Sequence, residues 1–486
     1  MTGIIPAPNF CEKRKGFLAL NGKNPEDFIV YSRDAALGSE EYILEITPGE
    51  IRIVSNGGAG SFYALKSLAQ YAYVCGSNAL GCLFIKDSPR FEHRGFMIDC
   101  VRHFFPVENL KRMIEAAALF KFNVFHWHLT DDQGFRVPVP EYPALTEVGS
   151  MRPCAGFGRE NDGKPYGGFY THDELREIVE FCAERFITVV PEFEVPGHTS
   201  AVVASYPATS CAGAGAQVKT SAGVFKDVLC PGRDEAFSLV FAVLDVFMDI
   251  FPSEYIHIGG DEVPKTHWNT CEDCKKRMLD EGLKNADELQ GWFTNRIVDY
   301  LAAHGRKAIV WNESLNGNNL CEGVTVQYWM DRKNKTVPFA NGGGRTVISD
   351  FYNYYTDYPY GMTPLNKTYG FNPELKGFNF AAKQNIAGVE APIWTEYVED
   401  IERMAYMCYP RFCAVAETAW TFEINKDNRD FLKRLDLILP MLGRFGLTGA
   451  PRSAWNPRGL SRAPQVIKFF SGTLNADLLR GAFSSD

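Results

Sequence analysis

The sequence predicts an α/β protein in which a (β/α)8 (TIM) barrel follows a small α+β domain. The chain has 486 residues, which is more than one ordinary domain needs and enough for a barrel with an additional domain. Short apolar runs alternate with helical patterns over most of this length, and such alternation predicts a parallel sheet. About eight of these runs occur, which is the number of strands that closes a parallel sheet into a barrel.

Residues 1–90 are predicted to form the small α+β domain. Tyr42–Ile46 and Glu50–Val54 alternate apolar and polar side chains as strands do. Apolar residues then recur at helical spacing over Ser61–Tyr73. The proline-containing segment that starts at Asp87 is predicted to link this domain to the barrel.

Residues 91–446 are predicted to form the barrel, and residues 447–486 a C-terminal extension. The predicted strands are Gly95–Cys100, Asn123–His128, Ile187–Glu192, Tyr255–Ile258, Lys307–Trp311, Val324–Tyr328, Thr346–Ser349 and Ala387–Trp394. The predicted helices are Val107–Phe120, Asp173–Arg185, Glu235–Phe251 and Asp287–Ala303. Residues 312–386 are rich in Gly, Asn and Tyr and poor in helix signal, so we expect the barrel to be irregular there.

Composition and charge limit the possible partners. A net charge of -9 disfavours nucleic acid, because nothing would neutralise a row of phosphates. No stretch is long and apolar enough to cross a bilayer, and the N-terminus has no basic segment followed by an apolar one. The 13 cysteines are odd in number and scattered through apolar segments, as free thiols in a reducing compartment are. A cytoplasmic protein is therefore expected, although a secreted chain cut after its signal would look the same. The sequence does not indicate the oligomeric state.

Polar and aromatic side chains follow most of the predicted barrel strands, at the ends where barrel enzymes carry their chemistry. These strand ends are His126–Asp132, Glu192–His198, His257–Glu262, Trp311–Glu313, Trp329 and Trp394–Glu396. Each one alone is explained by packing or by a helix N-cap. These explanations do not account for five or six such strand ends on one rim, because buried acids are costly unless they are paired or functional.

Two classes of enzyme fit an acid-rich barrel mouth lined by tryptophans. A metal hydrolase would use the pair His126 and His128, which point to the same side of a strand. Its remaining ligands would be Asp131, Asp132, His198 and His257. The pair is expected to lie lower in the barrel, however, where histidines more often form core hydrogen bonds. Three tryptophans at strand ends favour a glycosidase, in which aromatic rings stack on sugar faces.

The adjacent acids Asp261 and Glu262 indicate the mechanism. Retaining glycosidases usually hold two carboxyl groups about 5–5.5 Å apart across the scissile bond. We expect neighbours on one strand to point in opposite directions and so to serve different atoms of one substrate. A 2-acetamido sugar supplies its own nucleophile, the amide oxygen. Glu262 would then protonate the leaving oxygen, and ionised Asp261 would hold the amide N–H while an oxazolinium intermediate forms.

Four ordered motifs resemble the family 20 glycoside hydrolases, which are β-N-acetylhexosaminidases. They are HRGFMIDCVRHFFP from His93, NVFHWHLTDDQ from Asn123, PGHT from Pro196 and HIGGDEV from His257. The resemblance extends over about residues 30–445. It implies a retaining exo-hydrolase that acts on glycans with a terminal β-linked N-acetylglucosamine or N-acetylgalactosamine, and that uses no metal or other cofactor.

The resemblance also implies roles for individual residues. Asp261 and Glu262 match the assisting aspartate and the acid, and Asp131 and His198 match partners of that pair. The residues that the resemblance implies in sugar binding are Arg94 for the 3- and 4-hydroxyls, Trp311, Trp329 and Trp394 for the walls, Glu396 for the 4- and 6-hydroxyls, Tyr355 for the acetamido oxygen and Asp357 for an outer hydroxyl. Tyr352 and Tyr354 compete with Tyr355 for its role. Phe135 and Glu194 depart from the residues frequent in the family, and neither departure removes a catalytic group.

Three alternatives stay open. An enzyme of the same fold could release a disaccharide or a phosphorylated amino sugar, or a relative without activity could only bind sugar. The pair Cys271 and Cys274 could form half of a zinc site, but four ligands are normally needed and the sequence offers no second pair. A turn at the surface is the favoured interpretation of this pair.

Overall fold

The computed structural model describes residues 2–76, 78–157 and 163–473. It confirms the predicted fold class, because eight parallel strands close into a barrel after a smaller N-terminal sheet. Residues 474–486 of the predicted extension lie outside the described residues. Within the described ranges, none of the helices combines the length and the apolar character that crossing a bilayer requires.

The N-terminal sheet has five strands with one helix packed against it. Its strands are β1 (Phe10–Ala19), β2 (Ile29–Arg33), β3 (Tyr42–Ile46), β4 (Ile51–Ser55) and β5 (Ala79–Asp87), in the order β1-β5-β3-β4-β2. Alternate side chains of β3 and β4 are buried, as the sequence pattern predicts for a sheet with one covered face. The covering helix is α1 (Gly58–Cys75).

The barrel strands lie close to the predicted runs. They are β6 (His93–Asp99), β7 (Val124–His128), β8 (Thr188–Glu192), β9 (Tyr255–His257), β10 (Lys307–Trp311), β11 (Thr325–Tyr328), β12 (Thr346–Ile348) and β13 (Ile386–Ile393). Each pairs in parallel with the next, and β13 pairs with β6 to close the ring. All side chains of β7 and β13 are buried, because a parallel barrel is covered on both faces.

Helices surround the barrel. The longer ones are α2 (Val107–Leu119), α3 (His172–Ala183), α4 (Asp234–Ile250), α5 (Glu272–Asp280), α6 (Ala286–Ala303), α7 (Ile401–Cys408), α8 (Arg411–Trp420), α9 (Asn428–Ile438) and α10 (Ala463–Thr473). The short helices are Ala144–Glu147, Ser200–Ser205, Thr336–Asn341, Leu365–Gly370, Phe380–Gln384 and Arg452–Trp455, and the 3-10 segments include Asn312–Gly317. Residues 312–386 contain helices of six residues at most, which confirms the predicted irregularity.

The surface turn predicted for Cys271 and Cys274 is wrong. Cys271 is the N-cap residue of α5, and Cys274 lies inside that helix with a fully buried side chain. Two cysteines from an earlier loop lie beside them, which the local sequence pattern does not reveal.

The small domain joins the barrel through buried charges. Lys121, which follows α2, lies 3.1 Å from the carboxylate of Asp87 and donates a hydrogen bond to Tyr42. Trp420, at the end of α8, donates its indole N–H to the same aspartate at 2.9 Å. The two domains therefore share a polar core as well as apolar contacts.

Candidate active site

A pocket of about 180 Å³ opens at the carboxyl ends of the barrel strands. Its lining residues are Arg102, His128, Asp131, Glu194, His198, Asp261, Glu262, Trp329, Phe351, Tyr355, Asp357, Tyr358, Trp394 and Glu396. The structure thus brings together all of the sequence-predicted site residues except Arg94 and Trp311. A larger cavity, of about 650 Å³, lies at the other end of the barrel, where the strands begin, and lacks these acids.

Asp261 and Glu262 lie in the loop after β9 and not on the strand itself. The expectation that they point in opposite directions is therefore wrong. Glu262 has a φ of 48°, so the backbone does not alternate as a strand does. One carboxylate oxygen of each acid and one nitrogen of His198 all lie within 4.8 Å of one another. Both acids face the same pocket.

Two glycines and Glu194 shape this loop. Gly259 and Gly260 have φ values of 62° and 106°, which side chains rarely adopt. The Gly260 N–H donates a 2.9 Å hydrogen bond to the Glu194 carboxylate, and a Cβ atom at Gly259 would overlap that carboxylate. Burial, together with the charges of Asp261 and Glu192, raises the pKa of Glu194 well above its ordinary value. A protonated Glu194 therefore lies under the loop that carries the two acids.

His198 connects the adjacent acids to a second acidic pair. Its Nδ1 lies 3.1 Å from Asp132 and 3.3 Å from Asp131, while its Nε2 lies 3.7 Å from Glu262 and 4.0 Å from Asp261. Burial lowers the pKa of His198, but Asp131, Asp132 and Asp261 outweigh it and raise the pKa well above the ordinary value. The imidazole is therefore a cation between two pairs of acidic residues.

The surroundings of Glu262 favour its protonated form. Burial raises the pKa of Glu262, and Asp261 adds to this effect while His198 opposes it. The Glu262 backbone N–H donates a 2.7 Å hydrogen bond to Glu313, an acid that the sequence placed at a strand end without a role. Burial and the Asp261 charge raise the pKa of Glu313 to about 7. These surroundings thus favour the neutral form of Glu262, which is the form that a general acid requires.

Arg102 is a pocket residue that sequence reasoning missed. Its guanidinium lies 2.7 Å from Asp131 and 3.3 Å from Asp99, and 4.8 Å from the ring centre of Trp394. Burial raises the pKa of Asp131, but Arg102 and His198 outweigh it and hold the pKa far below the ordinary value. Its position in the sequence could have identified it, because Arg102 follows the carboxyl end of β6 within the motif that starts at His93.

Arg94 does not lie in the pocket, so the sugar-binding role predicted for it is wrong. It is the second residue of β6 and therefore lies at the amino end of the barrel. Its guanidinium binds Glu40 of the small domain at 2.6 Å and the Tyr63 hydroxyl at 3.0 Å. Its side chain is 1% exposed, so a sugar cannot reach it.

Aromatic rings form one wall of the pocket. Trp329 and Tyr355 stack with ring centres 6.2 Å apart, and the Tyr355 and Trp394 centres are 6.3 Å apart. Trp311 lies beneath them and donates its indole N–H to Glu192 at 2.9 Å. Of the competing tyrosines, Tyr352 is 56% exposed and Tyr354 packs against Phe371 away from the pocket, which leaves Tyr355 in the wall.

Asp357 and Glu396 lie together in the lining. Burial and the Glu396 charge raise the pKa of Asp357 well above its ordinary value. Burial also raises the pKa of Glu396, and the charge of Arg102 opposes this. One buried oxygen of Asp357 has no hydrogen-bond partner within the described part of the chain. The pair thus offers acceptors and a donor to a polar ligand.

The histidines considered as metal ligands bind carboxylates inside the barrel. His126 lies 2.8 Å from Glu390 and 3.1 Å from Glu192, and His257 lies 2.9 Å from Glu192. Burial lowers the pKa of His126, but the two acids outweigh it and raise the pKa to about 10. His128 binds Glu192 and also Asp131, which joins this network to the pocket. These contacts are the core hydrogen bonds expected from the sequence for the pair His126 and His128.

The barrel and its acidic, tryptophan-walled pocket define a glycoside hydrolase. Two models of glycosyl hydrolase family 20 match the chain, the catalytic domain over residues 91–423 and domain 2 over residues 19–88. The chain belongs to glycosyl hydrolase family 20. This result confirms the resemblance that the four motifs indicate.

Several relatives and solved structures are similar to this chain. The "Beta-hexosaminidase" of Porphyromonas gingivalis is 38% identical over 448 residues, which cover 88% of this chain and 57% of that protein. The "Beta-hexosaminidase" of Akkermansia muciniphila is 36% identical over 402 residues, covering 79% of this chain and 80% of that protein. A β-N-acetylhexosaminidase crystal structure matches with a TM-score of 0.86 at 32% identity, covering 94% of this chain and 99% of that one. A Vibrio harveyi exo-β-N-acetylglucosaminidase in complex with N-acetylglucosamine matches with a TM-score of 0.83 at 28% identity, covering 93% and 78%.

Proposed function

We propose that this chain is a retaining exo-β-N-acetylhexosaminidase that releases terminal β-linked N-acetylglucosamine or N-acetylgalactosamine from glycans. The observation that carries the proposal is the pair Asp261 and Glu262, both directed into an aromatic-walled pocket with His198 beside them. The names of the relatives and the N-acetylglucosamine in the Vibrio harveyi structure support the same class of sugar.

The size of the pocket supports removal of one terminal sugar. At about 180 Å³ it is smaller than the ~300–1,000 Å³ of most ligand sites, a size that suits one sugar ring. This favours an exo-acting enzyme over one that releases a disaccharide.

Glu262 would act as the general acid. Its raised pKa favours the protonated form of the carboxyl group, which would donate a proton to the departing glycosidic oxygen. The resulting carboxylate would then accept a proton from the water that attacks the intermediate.

Asp261 would position the acetamido group of the substrate. Its buried Oδ1 has no hydrogen-bond partner among the residues that the structure describes, and the amide N–H of the sugar would supply one. The amide oxygen would then attack the anomeric carbon and form the oxazolinium ion, with retention of configuration after hydrolysis. Tyr355 would donate a hydrogen bond to that oxygen, and the negative charge of Asp261 would stabilise the positive intermediate.

The remaining polar residues would bind the hydroxyls of the sugar. Arg102 would take the role that the resemblance implied for Arg94, because it lies in the pocket lining with its guanidinium held by Asp99 and Asp131. Asp357 and Glu396 would bind the outer hydroxyls, which would give the unpartnered Asp357 oxygen a donor.

The test compares p-nitrophenyl β-N-acetylglucosaminide and β-N-acetylgalactosaminide with the plain β-glucoside. We expect turnover of the acetamido sugars alone, with the β-anomer of the product appearing first by proton NMR. Replacing the acetyl group with mono-, di- and trifluoroacetyl groups should lower kcat/KM stepwise, because fluorine weakens the amide oxygen as a nucleophile. Turnover of the glucoside, or equal rates across the fluorinated series, would refute the mechanism.

A further inference from the structure

Four cysteines from two separate segments of the chain meet outside the pocket. Cys211 and Cys230 lie in the connection between β8 and α4, and Cys271 and Cys274 lie at the start of α5. The Cys230 and Cys274 side chains are buried, and the other two are half-buried. The Sγ–Sγ distances are 3.4 Å for 230–274, 3.7 Å for 211–274 and 3.9 Å for 230–271, and all four sulfurs lie within 4.8 Å of one another.

These separations do not fit disulfides. A disulfide joins its sulfurs at about 2.05 Å, and all four of these cysteines are free. In a tetrahedral site with zinc–sulfur bonds of about 2.3 Å, the sulfurs lie about 3.8 Å apart. The separations of 3.4, 3.7 and 3.9 Å lie around that value.

We propose that Cys211, Cys230, Cys271 and Cys274 bind one structural zinc ion. Four thiolates in tetrahedral array are the ligand set of structural zinc sites, and they leave no open position for a substrate or a reactive water. The ion would therefore act on stability and not on the chemistry of the pocket. This inference does not depend on the proposed hexosaminidase activity.

Other contacts hold the two loops in this arrangement. Arg233 pairs with Asp273 at 2.9 Å, and the Trp268 indole donates to the Leu229 carbonyl at 2.9 Å. A Cβ atom at Gly232 would overlap the backbone at the start of α5, so the two chain segments are in close contact. The site is thus formed by packing around it and would not require the chain to rearrange on binding.

The position of the site determines what the ion would stabilise. Cys211 and Cys230 belong to the loop that also carries His198, and Cys271 ends the loop that carries Asp261 and Glu262. A zinc ion would join these two loops on the side away from the pocket. It would limit their relative motion, and hence the motion of His198 against the two acids.

The first test is the metal content of untagged protein, produced with zinc in the medium and dialysed. We expect inductively coupled plasma mass spectrometry to find about one zinc ion per chain. The Cys211→Ser and Cys274→Ser variants should lose most of this zinc. Cys321→Ser is the matched control, because Cys321 is also half-buried and free but lies outside the cluster, and it should keep the metal.

A second test uses the wild-type protein and so does not depend on the folding of variants. Titration with an organic mercurial should release the zinc as four thiols react, and replacement with Co²⁺ should give thiolate-to-cobalt charge-transfer bands. The proposal is refuted by wild-type protein without zinc, by equal zinc in Cys211→Ser and wild type, by iron in place of zinc, or by a disulfide within the four cysteines.

Discussion

Asp261 and Glu262 are similar in chemistry but have different surroundings. The carboxyl group of Glu262 has its pKa raised by burial, while Asp261 has one oxygen left for a substrate donor. His198 lies near both, with its pKa raised well above the ordinary value. At the scale of single residues, the surroundings of each side chain indicate its role better than its position in the sequence does.

Glu262→Gln should separate proton donation from nucleophilic attack. We expect kcat/KM to fall at least 10²-fold on substrates with poor leaving groups, because general acid catalysis supplies about 10²–10⁴-fold. The loss should be smaller on p-nitrophenyl glycosides, since that leaving group needs little protonation. Asp261→Asn is the control and should lose activity on both, and equal small losses in both variants would contradict the assigned roles.

The pH dependence of activity should report Glu262. Its pKa is raised in the folded protein, so the acid is protonated below that pKa and loses its proton as the pH rises through it. We therefore expect kcat/KM to fall on the alkaline side, at a pH above the ordinary titration range of a glutamate. In Glu262→Gln, measured on an activated aryl substrate, this alkaline limb should disappear. An unchanged limb in that variant would assign it to another group.

At the scale of elements, the loop after β9 is built around positive φ angles. Gly259, Gly260 and Glu262 adopt them, and the loop packs against the carboxyl group of Glu194. The result is that both acids leave the loop toward the pocket. In a regular strand, neighbouring side chains point to opposite faces, and one of the two acids would point away from the pocket.

Gly259→Ala should misplace the catalytic loop. The added methyl group would overlap the Glu194 carboxylate, and a shift of about 1 Å in a catalytic group can lower the rate about 10²-fold. Gly282→Ala is a matched control, because Gly282 has a φ of 66° but no atom within 4 Å of the added Cβ. It should change stability slightly and leave kcat unchanged. Similar kcat values for the two variants would argue against the packing explanation.

The barrel strands were predictable, and the exact site was predictable only in part. Runs such as Ile386–Ile393 are apolar at every position except Glu390 because both faces of the sheet are covered, so the local pattern identifies them. Arg94 and Arg102 belong to one motif, yet Arg94 lies near the start of β6 and Arg102 follows the end of that strand, so the two lie at opposite ends of the barrel. The proximity of Cys211 to Cys274 depends on how two distant loops pack, and no local pattern records it.

At the scale of the whole molecule, the small domain and the barrel are joined by buried ion pairs. Arg94 binds Glu40, and Lys121 binds Asp87, both across the boundary between the domains. Breaking a buried pair by removing one partner leaves an uncompensated charge. The amino end of the barrel therefore contributes to stability, while the carboxyl end carries the proposed chemistry.

Arg94→Ala should affect stability, whereas Arg102→Ala should affect activity. Removing Arg94 should lower the free energy of unfolding by about 3–5 kcal/mol, measured by denaturant titration, because Glu40 loses its buried partner. Below the unfolding transition, the KM of this variant should not change. Arg102→Ala should instead raise KM or lower kcat. A large rise in KM for Arg94→Ala would restore the role first predicted for it.

The indole of Trp420 lies in the apolar core of the small domain, 333 residues after Asp87, to which it donates a hydrogen bond. During translation, the small domain therefore cannot complete its core as soon as its last strand, β5, has left the ribosome, because Trp420 has not yet been synthesised. At ribosomal rates of about 5–20 residues per second, it must wait on the order of tens of seconds for the tryptophan to arrive. During that interval the part of the small-domain core that Trp420 covers stays exposed, and its burial coincides with closure of the barrel.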